Sequence, residues 1–166
     1  MVIDFPIRFF KTFSQRHMER KIKKNPNIQI SRSTKILSYE NIPCSSGKIE
    51  IGENTFINKQ CAIVTINSTI KIGNNVLIGP ATQINTLAHN FDRTDIPINA
   101  QGRNEKAIII EDDIWIGAHC TILGGTKIGA HSVIGAHSLV KGEIPPYSVA
   151  YGVPAKVKRK RQKTRK

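Results

Sequence analysis

Long apolar runs are missing from this sequence. No stretch approaches the ~18 residues that cross a bilayer, and no N-terminal segment has the form of a signal-peptide core. That excludes a membrane-spanning helix, and a cytoplasmic protein is expected. Cysteine is scarce: 3 residues, an odd number without framework spacing, exclude a disulfide scaffold. Acids are few, 12 against 25 Lys and Arg, giving a formal charge of +13. The excess sits at the two ends. Residues 1–24 carry seven Lys/Arg and two acids, residues 156–166 carry eight and none, and residues 25–155 hold ten of each sign. A nucleic-acid-binding domain carries its basic stripe on the folded body. A neutral body with basic ends argues against a nucleic-acid partner and for local anion contacts or solvated tails.

What the 166 residues have in abundance is a period of six. Ile110, Ile116, Ile122, Ile128, Ile134 and Val140 are evenly spaced, with Gly117, Gly129 and Gly135 following three of them. A small or β-branched residue stands four places on, at Ile114, Cys120, Thr126, Ser132 and Ser138. No helix repeats every six residues and a plain strand repeats every two; a strand that bends once per repeat has this period. The aliphatic residue is expected to point inward, the glycine or acid to make the turn, and the small residue to complete the inner layer. Three such hexads form one triangular coil of a parallel β-helix. The same marks begin at Ile30 and continue through Ile36, Ile42, Ile51, Ile57, Ile63, Ile72, Ile78 and Ile84. There the triplets start 21 residues apart, so each early coil carries three extra residues at one corner. Fifteen hexads give about five coils, and the fold class is all-β. Cys61 and Cys120 fall on small inward positions and read as inert core thiols.

Three segments depart from the repeat. Over residues 1–26, Ile7, Phe10, Phe13, Met18 and Ile22 fall near helical spacing among basic residues, with Pro6 as a start and Asn25-Pro26 as a stop. This predicts an amphipathic helix capping the open end of the prism, with a peripheral membrane anchor as the alternative. Residues 89–109 interrupt the β-helix of residues 27–144 as one protruding loop, too long for an ordinary turn. Beyond residue 144, Pro145, Pro146 and Pro154 argue against regular pairing, so residues 145–166 are expected to fold back outside the prism and end in a fraying basic tail.

The hexads, the looped histidine (INTLAHNFD), DDIWIGAHCTILGG and IPPYSVAYGVPAKVKR occur in an order that resembles the hexapeptide-repeat acyltransferases, in the maltose, galactoside and polysaccharide O-acetyltransferase branch. The likeness covers roughly residues 48–160. It implies a left-handed β-helix, a homotrimer with sites between prisms, acetyl-CoA as donor, a sugar or glycan acceptor and no metal. By this resemblance His89 is the general base for an acceptor hydroxyl. An imidazole of ordinary basicity suits that task near neutral pH. Trp115 and Gly117 lie beside the donor site, and the Ala118 N–H is the oxyanion donor. Gly135 and Ala136 line the pantetheine groove, and Lys141, Lys156 and Arg159 meet the donor as cations. Cations after Arg159 have no packing residue and are expected to be solvated. Asn58, Asn85 and Asp92 are the candidate acceptor contacts.

The chain also departs from that pattern. Residues 64–67 read VTIN, without the carboxylates that galactoside enzymes carry near there, and Lys141 stands one place early. A different acceptor is expected, and the loop text FDRTDIPINAQG looks most like the polysaccharide-modifying members. The alternatives are an amino-sugar N-acetyltransferase, a γ-class carbonic-anhydrase-like protein and a non-catalytic β-helix. For the carbonic-anhydrase reading, His119 and His137 stack on neighbouring coils, but no two histidines are five apart as that family's zinc pair requires.

Overall fold

The structure, a computed structural model, describes residues 13–38 and 41–162. A single helix, α1 (Phe13–Lys23), precedes the strands. Coil one contains β1 (Ile28–Ile30) and β2 (Lys35–Ile36). Coil two contains β3 (Lys48–Ile51), β4 (Phe56–Ile57) and β5 (Ala62–Val64), and coil three β6 (Thr69–Ile72), β7 (Leu77–Ile78) and β8 (Gln83–Asn85). An arm follows, made of β9 (Leu87–His89) and β10 (Arg103–Glu105). Coil four is β11 (Ile108–Ile110), β12 (Trp115–Ile116) and β13 (Thr121–Leu123); coil five is β14 (Lys127–Ile128), β15 (Val133–Ile134) and β16 (Leu139–Val140). The chain closes with β17 (Glu143–Ile144), β18 (Ser148–Gly152) and β19 (Ala155–Lys160).

These strands stack into the three faces of a prism. Face one runs β1-β3-β6-β11-β14-β17, face two β2-β4-β7-β12-β15-β18-β19 and face three β5-β8-β13-β16. Every ladder between coils is parallel, as the six-residue period requires. The aliphatic hexad positions from Ile36 onward lie inside, and Ile57, Ile63, Ile116, Ile122 and Val140 are fully buried. Small inner residues are satisfied by corner carbonyls. Thr55 Oγ1 donates to Gly73 O at 2.8 Å, Thr82 Oγ1 to Gly117 O at 3.0 Å and Ser132 Oγ to Pro145 O at 3.2 Å. A buried hydroxyl without such a partner would be costly. Cys61 and Cys120 approach Gly79 O and Gly135 O, and burial pushes both thiols up, away from the reactive thiolate.

The three extra residues of the early coils lie at the corner between faces three and one. They lengthen β3 and β6 to four residues and bring a further column inside, Ile28–Ile49–Ile70–Ile108, in direct register. The hexad pattern alone did not mark this column. Its last member also corrects the loop boundary: the core resumes at Ile108, fully buried, rather than at Ile110.

The turns differ from the expected design. The left-handed corner residue is not the glycine but the residue two places later: Asn54, Gln60, Asn75, Ala81, Asp113, His119, His131, His137 and Tyr147 all have φ between 52° and 61°. The glycines that directly follow a hexad isoleucine serve close stacking, whereas Gly125 and Gly142, at the corner between faces three and one, do take positive φ, 85° and 79°. A Cβ on Gly117 would lie 2.5 Å from Ala136 N and 2.8 Å from its Cα, and one on Gly79 would lie 2.6 Å from Ala118 N.

At the N-terminal end Ile22 is buried and Met18 packs against the core, so the apolar face of α1 lies on the prism. Ile7 and Phe10 lie outside the described residues. Asn25 Nδ2 donates to Cys44 O at 3.0 Å while its Oδ1 accepts from Asn27 N at 2.9 Å, which turns the chain out of the helix. Among the described residues no helix is long and apolar enough to cross a membrane. At the other end the repeat persists past Val140. Ile144 and Ala150 take inner positions six apart, with Ile128 and Ile144 paired at a spacing of sixteen. β18 pairs in parallel with β15 and antiparallel with β19. Regular pairing therefore continues to Lys160, because Pro145 and Pro146 occupy a corner and Pro154 a hairpin turn, where a missing N–H costs no ladder bond.

Candidate active site

The candidate residues gather on face three, its two corners and the adjoining outer surface of face two. At the corner between faces two and three, Asn58, Gly117, Ala118, Gly135 and Ala136 follow β4, β12 and β15. The tight stacking that excludes a Cβ from Gly117 leaves only small residues at Gly117, Ala118, Gly135 and Ala136 of this edge. Next to it His119 and His137 stack with centroids 5.0 Å apart and planes 6° apart, as the eighteen-residue spacing predicts. Both are exposed, and among the described residues no group of three or more His, Cys, Asp or Glu is placed to hold a metal ion. Asn58 is half-buried, its Oδ1 accepting from Lys59 N at 2.8 Å.

On the outside of face two, Trp115 is 57% exposed and stands in the column Leu77–Trp115–Val133–Val149–Arg159. Lys156 pairs with Tyr151 in the same hairpin. Trp115, Lys156 and Arg159 thus share one surface.

The arm leaves from the other corner, between faces three and one. It is a hairpin, with His89 opposite Arg103, Ala88 opposite Asn104 and Leu87 opposite Glu105. His89 and Asp92 are exposed. Asn85 is half-buried at the root, where its Oδ1 accepts from Leu87 N at 2.9 Å and turns the chain outward. Lys141 is also here: it lines a groove of about 220 Å³ with Thr86, Leu87, Ala88, Asn104 and Lys106. It is therefore one corner away from Ala118 and Ala136, the residues with which it was grouped. At the tip several polar groups satisfy one another. Gln101 Nε2 donates to Arg93 O at 2.7 Å and to Ile96 O at 3.2 Å, and Arg93 pairs with Asp95.

Two features were missed in the sequence. Glu105 fastens the arm to coil two: Oε2 accepts from Asn67 N at 3.1 Å, Ile66 N at 3.3 Å and Thr86 Oγ1 at 3.1 Å. Burial alone would raise this carboxyl, but the bonds from Asn67, Ile66, Thr86 and Ser68 outweigh it and hold Glu105 below the usual range. Its one sequence sign is an acid placed just before the isoleucines return. The second is a pin on the tail. Arg161 Nη1 lies 3.0 Å from Asp113 Oδ2, which is 2.9 Å from His131 Nδ1, and Arg161 N donates to Tyr147 O. The hydrogen bond from His131, outweighing burial and reinforced by Arg161, holds Asp113 below the usual carboxylate range. The cations past Arg159 are thus not all free, contrary to the expectation from sequence. Only the pairing across 48 residues reveals it.

The sequence family described as "Bacterial transferase hexapeptide (six repeats)" matches residues 107–142. The galactoside O-acetyltransferase of Lactococcus lactis is 38% identical over 112 residues, 68% of this chain and 53% of that protein. A hexapeptide-repeat acetyltransferase of Vibrio cholerae, VCA0836, solved with acetyl coenzyme A, superposes with a TM-score of 0.73 at 30% identity, covering 94% of this chain and 81% of that one. A maltose O-acetyltransferase of Clostridium difficile gives a TM-score of 0.75 at 30% identity, covering 93% and 79%. The chain spans about half the length of the curated relatives it matches. Its bent-strand prism is the left-handed parallel β-helix of these proteins, and by sequence and architecture together the chain belongs to the hexapeptide-repeat acetyltransferase family.

Proposed function

We propose that this chain is an acetyl-CoA-dependent O-acetyltransferase whose acceptor is a hydroxyl of a sugar or polysaccharide precursor, working as a homotrimer with sites between prisms. The observation that carries the reading is an exposed histidine, His89, at the root of a hairpin beside a face whose opposite corner is stripped to Gly117, Ala118, Gly135 and Ala136. The galactoside and maltose O-acetyltransferases it resembles support a sugar acceptor.

The residues present fit the donor. A corner of glycine and alanine lets an extended ligand lie against backbone, and Trp115 offers an exposed ring beside it. Lys156 and Arg159, two strands beyond Val133 on the same surface, are placed for phosphate. Acetyl-CoA supplies an acyl group already activated as a thioester. The chain's own groups then position and move a proton. His89 takes the proton of the acceptor hydroxyl as that oxygen attacks, and the Ala118 N–H donates to the carbonyl oxygen where charge develops. The carbon–sulfur bond then breaks and His89 passes the proton to the departing thiolate of CoA, while Asn85, Asp92 and Asn58 orient the acceptor. One side of the prism, roughly 15 Å of strand at ~3.3 Å per residue, separates the corner of His89 from that of Ala118. A second prism laid alongside brings the two corners together, which is the argument for a shared site.

His89→Ala tests the reading. Turnover of thioester with a glycan acceptor should fall about 10²–10⁴-fold, while CoA binding by calorimetry and the thermal midpoint stay unchanged. Near-normal turnover in this variant would remove His89 as the base.

A further inference from the structure

Lys156 and Arg159 are three residues apart, and in a regular strand they would point to opposite faces of the sheet. In β19 they do not. Tyr151 stands opposite Lys156, Ala150 opposite Val157 and Val149 opposite Arg159, so Lys158 is an extra residue with no backbone partner across the ladder, a β-bulge. Tyr151 and Val149 flank the buried Ala150 and both lie on the outside of face two. The bulge therefore turns Lys156 and Arg159 to the same outer side. A slip that absorbed it would set Lys158 opposite Val149 and bring Arg159 opposite the fully buried Ser148, on the inner side.

β19 is the edge strand of face two, so β18 alone sets its register from within the sheet. Its far end is held by a clasp at the corner between faces one and two. There the left-handed residues of three successive turns, Asp113, His131 and Tyr147, stand one above another. Asp113 Oδ2 accepts from Arg161 Nη1 at 3.0 Å and lies 2.9 Å from His131 Nδ1, and the His131 ring stacks on Tyr147 with centroids 4.7 Å apart. Arg161 closes the clasp by donating from its backbone N–H to Tyr147 O and from Nη1 to His131 O at 3.4 Å. Arg161 directly follows β19 and is two residues beyond Arg159. None of the candidate donor or acceptor residues stands at this corner, so the clasp acts at a distance from the chemistry.

We infer that Asp113 is a positioning residue for the donor: through Arg161 it fixes the register of the bulged strand and so keeps Lys156 and Arg159 on one surface for the phosphates of a nucleotide-bearing thioester. The inference rests on the reading that those two cations hold the nucleotide end of acetyl-CoA. A carboxylate suits the task because one oxygen takes both the guanidinium and the imidazole donor. Arg161 is not itself a phosphate contact on this reading, since its guanidinium already faces Asp113 and the His131 carbonyl.

Asp113→Asn and Arg161→Ala test it. Asparagine fills the same left-handed corner position at Asn54 and Asn75, so the turn tolerates the first change. Each variant should weaken CoA binding by calorimetry and raise the KM of acetyl-CoA about tenfold. The kcat at saturating donor and the thermal midpoint should stay close to wild type. The KM of S-acetylpantetheine, which carries the thioester without the nucleotide, should not move. Arg159→Ala should show the same selective loss, and adding Asp113→Asn to Lys156→Ala with Arg159→Ala should weaken binding no further. An equal rise in KM for both donors would make the clasp a matter of general packing and overturn the inference. So would wild-type affinity in Asp113→Asn and Arg161→Ala when Arg159→Ala is impaired, because β19 would then keep its register unaided. Unchanged affinity in Arg159→Ala would instead remove the donor reading itself, and the positioning role of Asp113 with it.

Discussion

Glu105 is a single carboxylate with several obligations. Its Oε2 accepts from two consecutive backbone N–H groups, of Ile66 and Asn67, and from the Thr86 hydroxyl. Directly across the hairpin lies Leu87, two residues before His89. The side chain touches no candidate substrate position; it sets where the arm stands. Replacing it by Gln removes the charge that holds these donors and, with the amide oxygen kept in the Oε2 position, turns Oε1 into a donor facing Asn67 Nδ2. Glu105→Gln should lower acceptor-dependent turnover about tenfold, because small misplacement of a base is costly, and should leave CoA affinity unchanged. The pH dependence has a definite sign. The folded-state pKa is lowered, so the carboxylate's contribution is complete above the ordinary value of ~4.3 and is lost as pH falls through the lower folded value. Protection of the arm amides, taken relative to the intrinsic exchange rate at each pH, should therefore fall only in acid for the wild type and be low at all pH values for Glu105→Gln. Exchange that is slow in the variant would show that the arm stands without this clasp. Gly117 offers a test of a different kind. A methyl there meets the Ala136 backbone at 2.5 Å, and backbone within a stacked coil cannot rotate aside. Gly117→Ala should destabilise by about 1–3 kcal/mol, seen as a lowered melting temperature. An unchanged midpoint would mean that the coils part more easily than their ladder implies.

Among the elements, the arm and the terminal hairpin behaved differently from the coils when read from sequence. The coils were legible because each inner position repeats chemically: isoleucine at the hexad, then a small residue, then register enforced by every neighbour. The column Ile28–Ile49–Ile70–Ile108 was hidden because its members are 21 residues apart, then 38, and stand two places before a hexad isoleucine. The corners were misread because glycine permits both positive φ and close approach, and the sequence does not say which is used. The hairpin at Pro154 was misread because proline removes a donor only where a partner needs one. The candidate site was legible as a set of residues and not as an arrangement. Lys141 stands at the corner of the arm, and Gln101, Arg93 and Asp95 satisfy each other at its tip. The arm's role can be tested as an element. β10 must be kept, since Arg103–Glu105 pairs with β9 and carries the clasp. Replacing residues 93–102 by a short Gly/Ser link should shift the melting temperature by only a few degrees, because no residue there is buried. Acetyl transfer to the acceptor should collapse. Unfolding of the shortened chain would make the arm a structural strap instead.

For the whole molecule, the separation of His89 from Ala118 and Ala136 by one side of the prism makes a prediction about mixtures. On the proposed mechanism a chain with His89→Ala lacks the base, and a chain with Ala136→Arg has a blocked groove. Each alone should be inactive. Co-expressed as mixed trimers, about a quarter of the interfaces pair an intact His89 with an intact groove if subunits assort at random, so activity should return to about that fraction. No recovery in verified mixed oligomers would place the whole site within one chain. The assembly can also be followed without adding any label. Trp115 is the sole tryptophan, and its ring lies on the outside of face two, between Leu77 and Val133. An indole so placed emits at long wavelength in an isolated prism, and its emission moves to the blue only when another surface covers it. Under the proposed trimer this ring is an optical gauge of association: dilution should redden the fluorescence at the concentration where oligomers dissociate, while every coil remains folded.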